Sequence, residues 1–504
     1  MSTIIFQISL ESLAPSGSLS VLDITPVATP GRSRLIDCAQ YIRDRTLSIH
    51  EFPDFPVTEC TYAAISYIWR GNSDGDPIGV DVLVHPCTAA LREGAKYIWL
   101  DRLCIMQTSK KDKHWQIGQM FDIYKRCALC IILPGGVQRL VRLDEHTTWI
   151  NRGWTLQETL APPRVEVVYS WKWESGMYYR DRGVRGNIIQ LIPGESATTP
   201  LSNVFSLYGS EPMNFFPSAD GSHITFRTEL FGLLCSSSSN VMLEQTTEVV
   251  IFMLKDALVK DSSRDGSDFD IRAPAIWRSA LFRTSKRPVD MVFSIMGLFG
   301  VTLDTRKFGK DDRLGATIVL MQAILHRGGR ACWLGAAPYL PVNPRLSTLS
   351  VFPHTDVRGQ VLFDFGSRVA NEETRRSHKR TILDTRRVEM PMGTMDDAGY
   401  LTISRNRRGW KFYKDPGDSD KNSPRAFAVL LGWFNEFSHE GFWNGPRHVG
   451  TLLIKEHAPN RFHVESFFEL SDRLEFWIKR WQEHMLHIGG PESDLRQQSA
   501  DIEG

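Results

Sequence analysis

The sequence predicts an α/β fold with a parallel sheet in its N-terminal part. Four short stretches rich in β-branched and aromatic residues recur at 62–68, 97–101, 129–133 and 165–169. Helical patterns lie between these stretches, with apolar residues at steps of three and four. Strands that alternate with helices form parallel sheets covered on both faces.

Each element of this part has its own signal. The strand from Tyr62 to Ile68 ends at a loop dense in turn formers, and Pro86–Lys96 follows as a short helix. The central strand, Tyr97–Leu100, stops at the carboxylate of Asp101. Ser109 has an acidic residue three positions later, which predicts the start of the next helix.

Changes in composition and stretches rich in Pro and Gly divide the chain into five parts. Residues 1–56 contain repeated Pro and Gly and are expected to be an irregular lead-in, followed by the α/β domain at 57–175. We expect an α-rich extension at 176–345, a mixed α+β region at 346–490 and a frayed tail at 491–504.

The charge balance argues against nucleic acid as a partner. The 504 residues carry 59 basic and 58 acidic side chains, a net charge of +1. No apolar run reaches the length of a membrane span, and the N-terminus lacks a signal-peptide pattern, so a cytoplasmic protein is expected. Among eight cysteines only Cys127 and Cys130 form a CxxC pair, and no metal site is expected.

Three sequence blocks carry a family resemblance. They are Tyr62–Trp69, Tyr97–Gln107 and Arg152–Glu158. In this order and at this spacing they resemble the motif blocks of the fungal HET (heterokaryon incompatibility) domain. Arg70 and Met106 depart from the usual pattern, at a turn and at one polar position of the expected pocket.

Two carboxylates are the candidate catalytic groups. Asp101 lies at the carboxyl end of a predicted strand, and Glu158 lies in the first turns of a predicted helix, so both are expected to face one cleft. The residues expected to bind substrate come from the same blocks: Trp69, Arg102, Cys104, Gln107, Arg152, Trp154 and Gln157. The structural alternative is a Trp-rich core in which Arg152 pairs with one carboxylate.

The resemblance also implies an activity. HET domains look similar to TIR domains, which have a flavodoxin-like fold and cleave NAD with a Glu in a Trp-Cys-x-x-Glu motif. Trp154 to Glu158 resembles that motif, with Thr155 in place of the Cys. NAD would then be a substrate, and no cofactor is expected. A single carboxylate suffices for this chemistry, because it stabilises the oxocarbenium character that develops when the glycosidic bond breaks.

Three functions remain open from the sequence. The first is an incompatibility or cell-death effector that consumes NAD, and the second is an enzyme on another small molecule in a fungal biosynthetic pathway. The third is a non-enzymatic interaction module. A small-molecule ligand and self-association are the expected partners.

Overall fold

The computed structural model divides the chain into two compact units, residues 1–251 with 304–307, and residues 252–303 with 308–504. It describes residues 2–13, 18–19, 22–53, 55, 60–68, 78–179, 185–207, 212–217, 223–231, 251, 254, 257–258, 268–337, 340–352, 354–355, 361–362, 381–383, 390–403, 412–413, 424–436, 447–478, 480 and 485–491.

The first unit is built on a twelve-stranded mixed sheet. Its strands and those of a small additional pair are β1 (Thr3–Ser9), β2 (Ser18–Leu19), β3 (Ser33–Asp37), β4 (Thr46–Phe52), β5 (Tyr62–Tyr67), β6 (Ile78–Gly79), β7 (Tyr97–Trp99), β8 (Leu129–Leu133), β9 (Val165–Ser170), β10 (Gly176–Tyr179), β11 (Arg185–Ile192), β12 (Ser196–Pro200), β13 (Met213–Pro217) and β14 (Ile224–Phe226). Across the sheet the order is β1-β4-β3-β7-β5-β8-β9-β12-β11-β10-β13-β14, and β2 pairs with β6 separately. The fold class is therefore α/β.

The centre of this sheet is parallel, as the sequence predicts. β5 pairs in parallel with β7 on one side and β8 on the other, and β8 pairs in parallel with β9. Across the sheet these four strands stand in the order β7, β5, β8, β9. Numbered by their order along the chain, this is 2-1-3-4. Every described residue of β5 and β8 is buried, which is typical of strands covered on both faces.

Helices join the parallel strands. The helices of the first unit are α1 (Cys38–Arg43), α2 (Val84–Arg92), α3 (Asp101–Cys104), α4 (Lys110–Arg126), α5 (Trp154–Leu160) and α6 (Leu201–Leu207). α2 packs against β5, β7 and β8, and α4 packs beside α5. The predicted start of α4 is confirmed, because the Ser109 hydroxyl accepts the backbone N–H of Asp112.

The prediction of an irregular lead-in at 1–56 was wrong. β3 and β4 pair with each other, and β3 pairs with β7, so this segment extends the central sheet. Among the described residues, Pro26, Pro30, Gly31 and Pro53 lie in turns and bends next to strands, rather than marking a segment without structure. The sequence signal for turns was real, but the short strands between them carried too little periodicity to be recognised.

The expected α-rich extension at 176–345 holds only for its second part. Residues 176–226 add five antiparallel strands and α6 to the sheet. Helices dominate further on, in the second unit: α7 (Asp268–Leu281), α8 (Asp290–Met296) and α9 (Arg313–His326).

The C-terminal part of the second unit consists mainly of strands within the described ranges. They are β15 (His354–Thr355), β16 (Val361–Leu362), β17 (Thr381–Leu383), β18 (Gly393–Met395), β19 (Leu401–Ile403), β20 (Phe412–Tyr413), β21 (Ala426–Glu436), β22 (Arg447–Ala458), β23 (Arg461–Ser471) and β24 (His487–Ile488), with α10 at Glu475–Ile478. Most of the predicted tail at 491–504 lies outside the described residues.

Candidate functional site

Glu158 is held by a hydrogen-bonded chain of side chains. The Ser66 hydroxyl, on β5, donates to Glu158 Oε2, on α5. The indole Nε1–H of Trp149 donates to Ser66 Oγ at 2.8 Å. Ser66 and Trp149 are both 0% exposed, and Glu158 is half-buried. β5, through Ser66, and the turn that contains Trp149 thus fix one oxygen of the carboxylate.

Asp101 is held by the next residue of the same strand. The Tyr67 hydroxyl donates to Asp101 Oδ1 at 2.6 Å. Ser66 and Tyr67 are neighbours, with Cα atoms about 3.8 Å apart, although their side chains leave the strand in different directions. The two candidate carboxylates therefore accept hydrogen bonds from consecutive residues at the carboxyl end of β5.

A buried hydroxyl, that of Tyr124, lies beside this end of β5. Tyr124, on α4, donates its hydroxyl to the carbonyl of Ile65 at 3.1 Å. Burial raises the pKa of Tyr124 well above its usual value, and the negative charges of Glu158 and Asp101 raise it further.

Two predicted binding residues support the backbone around this strand end. Arg152 Nη1 donates to the carbonyl of Tyr67 at 3.2 Å. Gln107 Nε2 donates to the carbonyl of Asp101 at 2.9 Å, which closes the turn after α3. The contacts of Arg152 and Gln107 that the structure resolves therefore position the residues that carry the candidate chemistry.

Cys104 does not belong to an accessible site. The side chain is 0% exposed, and burial raises the pKa of its thiol to about 12. His114, its nearest histidine in sequence, instead hydrogen-bonds Thr305 through Nδ1 at 2.7 Å. α3 turns the thiol into the core, so the substrate contact predicted for Cys104 stays a prediction that this structure does not support.

The remaining predicted residues have different surroundings. Arg102 and Trp154 are half-buried, and Trp154 packs against the core of the first unit. Gln157 is 1% exposed, and its Nε2 has no hydrogen-bond partner. Trp69 lies outside the described residues.

Sequence reasoning missed the residues that orient the carboxylates. Ser66 and Tyr67 were noted only as members of a strand, and Trp149 was not singled out. An apolar strand that contains one Ser at a fully buried position is the signal that points to Ser66, because a buried hydroxyl requires a partner.

Metal binding finds no support in the described part of the chain. No group of three or more His, Cys, Asp or Glu residues there is placed to hold a metal ion. The same residues include no helix long and apolar enough to cross a membrane.

Comparison with known proteins bears on the first unit. Residues 62–144 match the family model described as heterokaryon incompatibility protein (HET). The chain carries a HET domain. The matched range includes Ser66, Tyr67 and Asp101, whereas Trp149 and Glu158 lie beyond it.

A curated relative is similar over a limited stretch. Vegetative incompatibility protein HET-E-1 of Podospora anserina is 27% identical over 147 residues, which make up 25% of this chain and 11% of the relative. The chain thus spans only a small part of the relative's length. No solved structure matches the chain.

Proposed function

We propose that this HET-domain chain is an intracellular effector of incompatibility-type cell death and that its first unit cleaves NAD between nicotinamide and ribose. The observation that carries the proposal is that Glu158 and Asp101 accept hydrogen bonds from consecutive residues, Ser66 and Tyr67. Oriented carboxylates are the groups that stabilise positive charge as a glycosidic bond breaks. The choice of NAD rests on the resemblance of Trp154–Glu158 to the TIR motif.

The strand order supports a ligand site at this position. In flavodoxin-like sheets the parallel strands lie second, first, third and fourth, and ligands bind at the carboxyl ends where the order reverses. In this chain the corresponding strands are β5 and β8, which pair from Ala63 with Leu129 to Tyr67 with Leu133. Ser66 and Tyr67 are the last two residues of β5. This order is also what supports a flavodoxin-like or TIR-like assignment of the domain.

The proposed reaction needs no strong acid. The nicotinamide ring of NAD is already cationic, so it leaves as neutral nicotinamide with the electron pair of the broken C–N bond. Glu158 stabilises the positive charge that develops on the ribose. Asp101 takes a proton from the water whose oxygen bonds to the same carbon. The products are nicotinamide, ADP-ribose and one proton.

A non-enzymatic interaction module is the second candidate, and one observation favours it. Arg152 and Gln107 donate to the backbone carbonyls of Tyr67 and Asp101, which is what a structural role requires. An enzyme acting on another small molecule would use the same carboxylates. Product analysis separates these three functions.

The test is incubation of purified protein with NAD and a metabolite panel, followed by mass detection. We expect nicotinamide and ADP-ribose, and a loss of about 100-fold or more in Glu158→Gln at an unchanged unfolding midpoint. Glu166→Gln is the matched control, because Glu166 is also half-buried and accepts a hydrogen bond from the Thr198 hydroxyl at 3.0 Å. A fully active Glu158→Gln protein ends the proposal. If a different metabolite is converted instead of NAD, the protein is an enzyme acting on that small molecule. If no compound is converted, the result supports the interaction module.

A further inference from the structure

The hydrogen bonds that link Trp149, Ser66 and Glu158 have a defined donor order. An indole N–H can only donate, so Trp149 occupies a lone pair of Ser66 Oγ. The serine hydroxyl has a single hydrogen, and the geometry directs it at Glu158 Oε2. The donor order therefore runs from Trp149 through Ser66 to the carboxylate, and its first bond, from Trp149 to Ser66, cannot reverse.

Burial preserves this direction. Ser66 and Trp149 are 0% exposed, so bulk water does not compete for their hydrogen bonds. The indole ring packs against Phe231 with ring centroids 5.5 Å apart, which restricts its rotation. Hydrogen bonds in such a low-dielectric setting are stronger and polarise one another.

The consequence concerns the charge of Glu158. A hydrogen bond donated to a carboxylate favours its ionised form. The oxygen that receives the Ser66 hydrogen is a poor site for a proton, which disfavours a role as proton donor from Oε2. The arrangement therefore suits a fixed anion rather than a general acid.

We propose that Ser66 and Trp149 are positioning residues that hold Glu158 as an oriented anion, so that the site selects ligands with a positive charge. The inference rests on the proposed function only in using Glu158 as the functional group. It does not require NAD to be the compound that is turned over.

A titration tests the positioning role without any activity. In protein labelled at glutamate carboxyl carbons, the Glu158 resonance is identified by its loss in Glu158→Gln. Its titration midpoint in Ser66→Ala should lie about one pH unit above that of the wild type, because a charge-favouring hydrogen bond is lost. Thr198→Ala, which removes the hydroxyl that donates to Glu166, should leave the Glu158 midpoint unchanged.

The indole resonance of Trp149 gives a signature that packing alone would not produce. It should titrate with the Glu158 midpoint in the wild type and lose that titration in Ser66→Ala. Trp171 is the internal control, because its Nε1 donates to the backbone carbonyl of Glu174 at 3.2 Å and not to this chain. A flat Trp149 signal, together with an unmoved Glu158 midpoint in Ser66→Ala, overturns the positioning role.

A pair of probes tests the charge selection. 1-Methylnicotinamide, methylated on its ring nitrogen, is cationic and nicotinamide is neutral, with nearly the same shape. We expect the cation to bind the wild type at least about tenfold tighter, in line with a charge-assisted contact. Glu158→Gln should abolish the preference and Ser66→Ala should reduce it. Equal binding of both probes to the wild type overturns the selection. Intact selection without NAD cleavage overturns only the proposed reaction.

Discussion

Arg34 and Asp112 form a buried ion pair in which neither side chain is exposed, with Arg34 Nη1 3.0 Å from Asp112 Oδ2. The guanidinium also donates to Glu51 Oε2 at 3.2 Å and to the carbonyls of Cys104 and Thr29, so all five of its N–H groups have acceptors. Asp112 in turn accepts the backbone N–H of Met106 at 3.0 Å. The pair thus ties β3 to the segment that follows Asp101.

Breaking this pair should destabilise the first unit. Asp112→Asn keeps the shape of the side chain but leaves the Arg34 charge incompletely compensated, and we expect a loss of about 3–5 kcal/mol in the free energy of unfolding. Denaturant unfolding measures the change. Asp144→Asn is the control, because Asp144 pairs with Arg142 at an exposed site, and its unfolding midpoint should not move. Equal midpoints for Asp112→Asn and the wild type would contradict the structural role of the pair.

Trp99 tests the central position of β7. The side chain is 2% exposed, and its ring contacts that of Tyr124 with centroids 5.6 Å apart. Trp99→Ala should cost about 3–5 kcal/mol in the free energy of unfolding, through lost burial and the cavity it leaves. Substitution of the exposed Met177 by Ala provides the comparison. A Trp99→Ala protein as stable as the wild type would refute this packing.

Cys104 should be chemically inert in the folded protein. Burial raises the pKa of its thiol to about 12, so very little thiolate forms at pH 8, and the side chain is 0% exposed. Among the cysteines in the described part of the chain, iodoacetamide labelling with peptide mass analysis should modify the half-buried Cys60 first. Cys104 should react only after denaturation. Rapid labelling of native Cys104 would show that the thiol is reachable.

His85 should make the first unit less stable in mild acid. Burial lowers its pKa, while Glu195 and Asp81 act in the opposite direction. A lowered folded pKa means that the unfolded state binds the proton more readily below about pH 6.5. Stability is therefore fully present above that pH and is lost as the pH falls toward the folded pKa.

The comparison that isolates this effect is His85→Gln, in which the amide replaces the contact that Nδ1 makes with Ser196 Oγ at 2.8 Å. Unfolding midpoints between pH 7.5 and 5.5 should fall less steeply in this variant than in the wild type. His146→Gln, at a half-exposed position paired with Glu229, should not flatten the dependence. Identical slopes for His85→Gln and the wild type would count against the assignment.

Local patterns in the sequence determined the parallel centre of the fold. Hydrophobic runs and helical spacing predicted β5, β7, β8 and β9 with their connections, and the Ser109 signal located the start of α4. These features depend on residues within one or two turns of each other, so periodicity and capping chemistry suffice to find them. The sequence also predicted that Glu158 lies on a helix, α5, whereas it did not predict the short helix α3 that begins at Asp101.

Only the tertiary structure decided which side chains meet. Ser66 and Glu158 are 92 positions apart, and Arg34 and Asp112 are 78 positions apart, so no local pattern links them. Hydrogen bonds form only when donor and acceptor reach about 3 Å with the right angle, and that distance is set by how the strands and helices pack. The same reason explains why Cys104 is in the core and why residues 1–56 extend the sheet: burial and strand pairing are properties of the assembled chain.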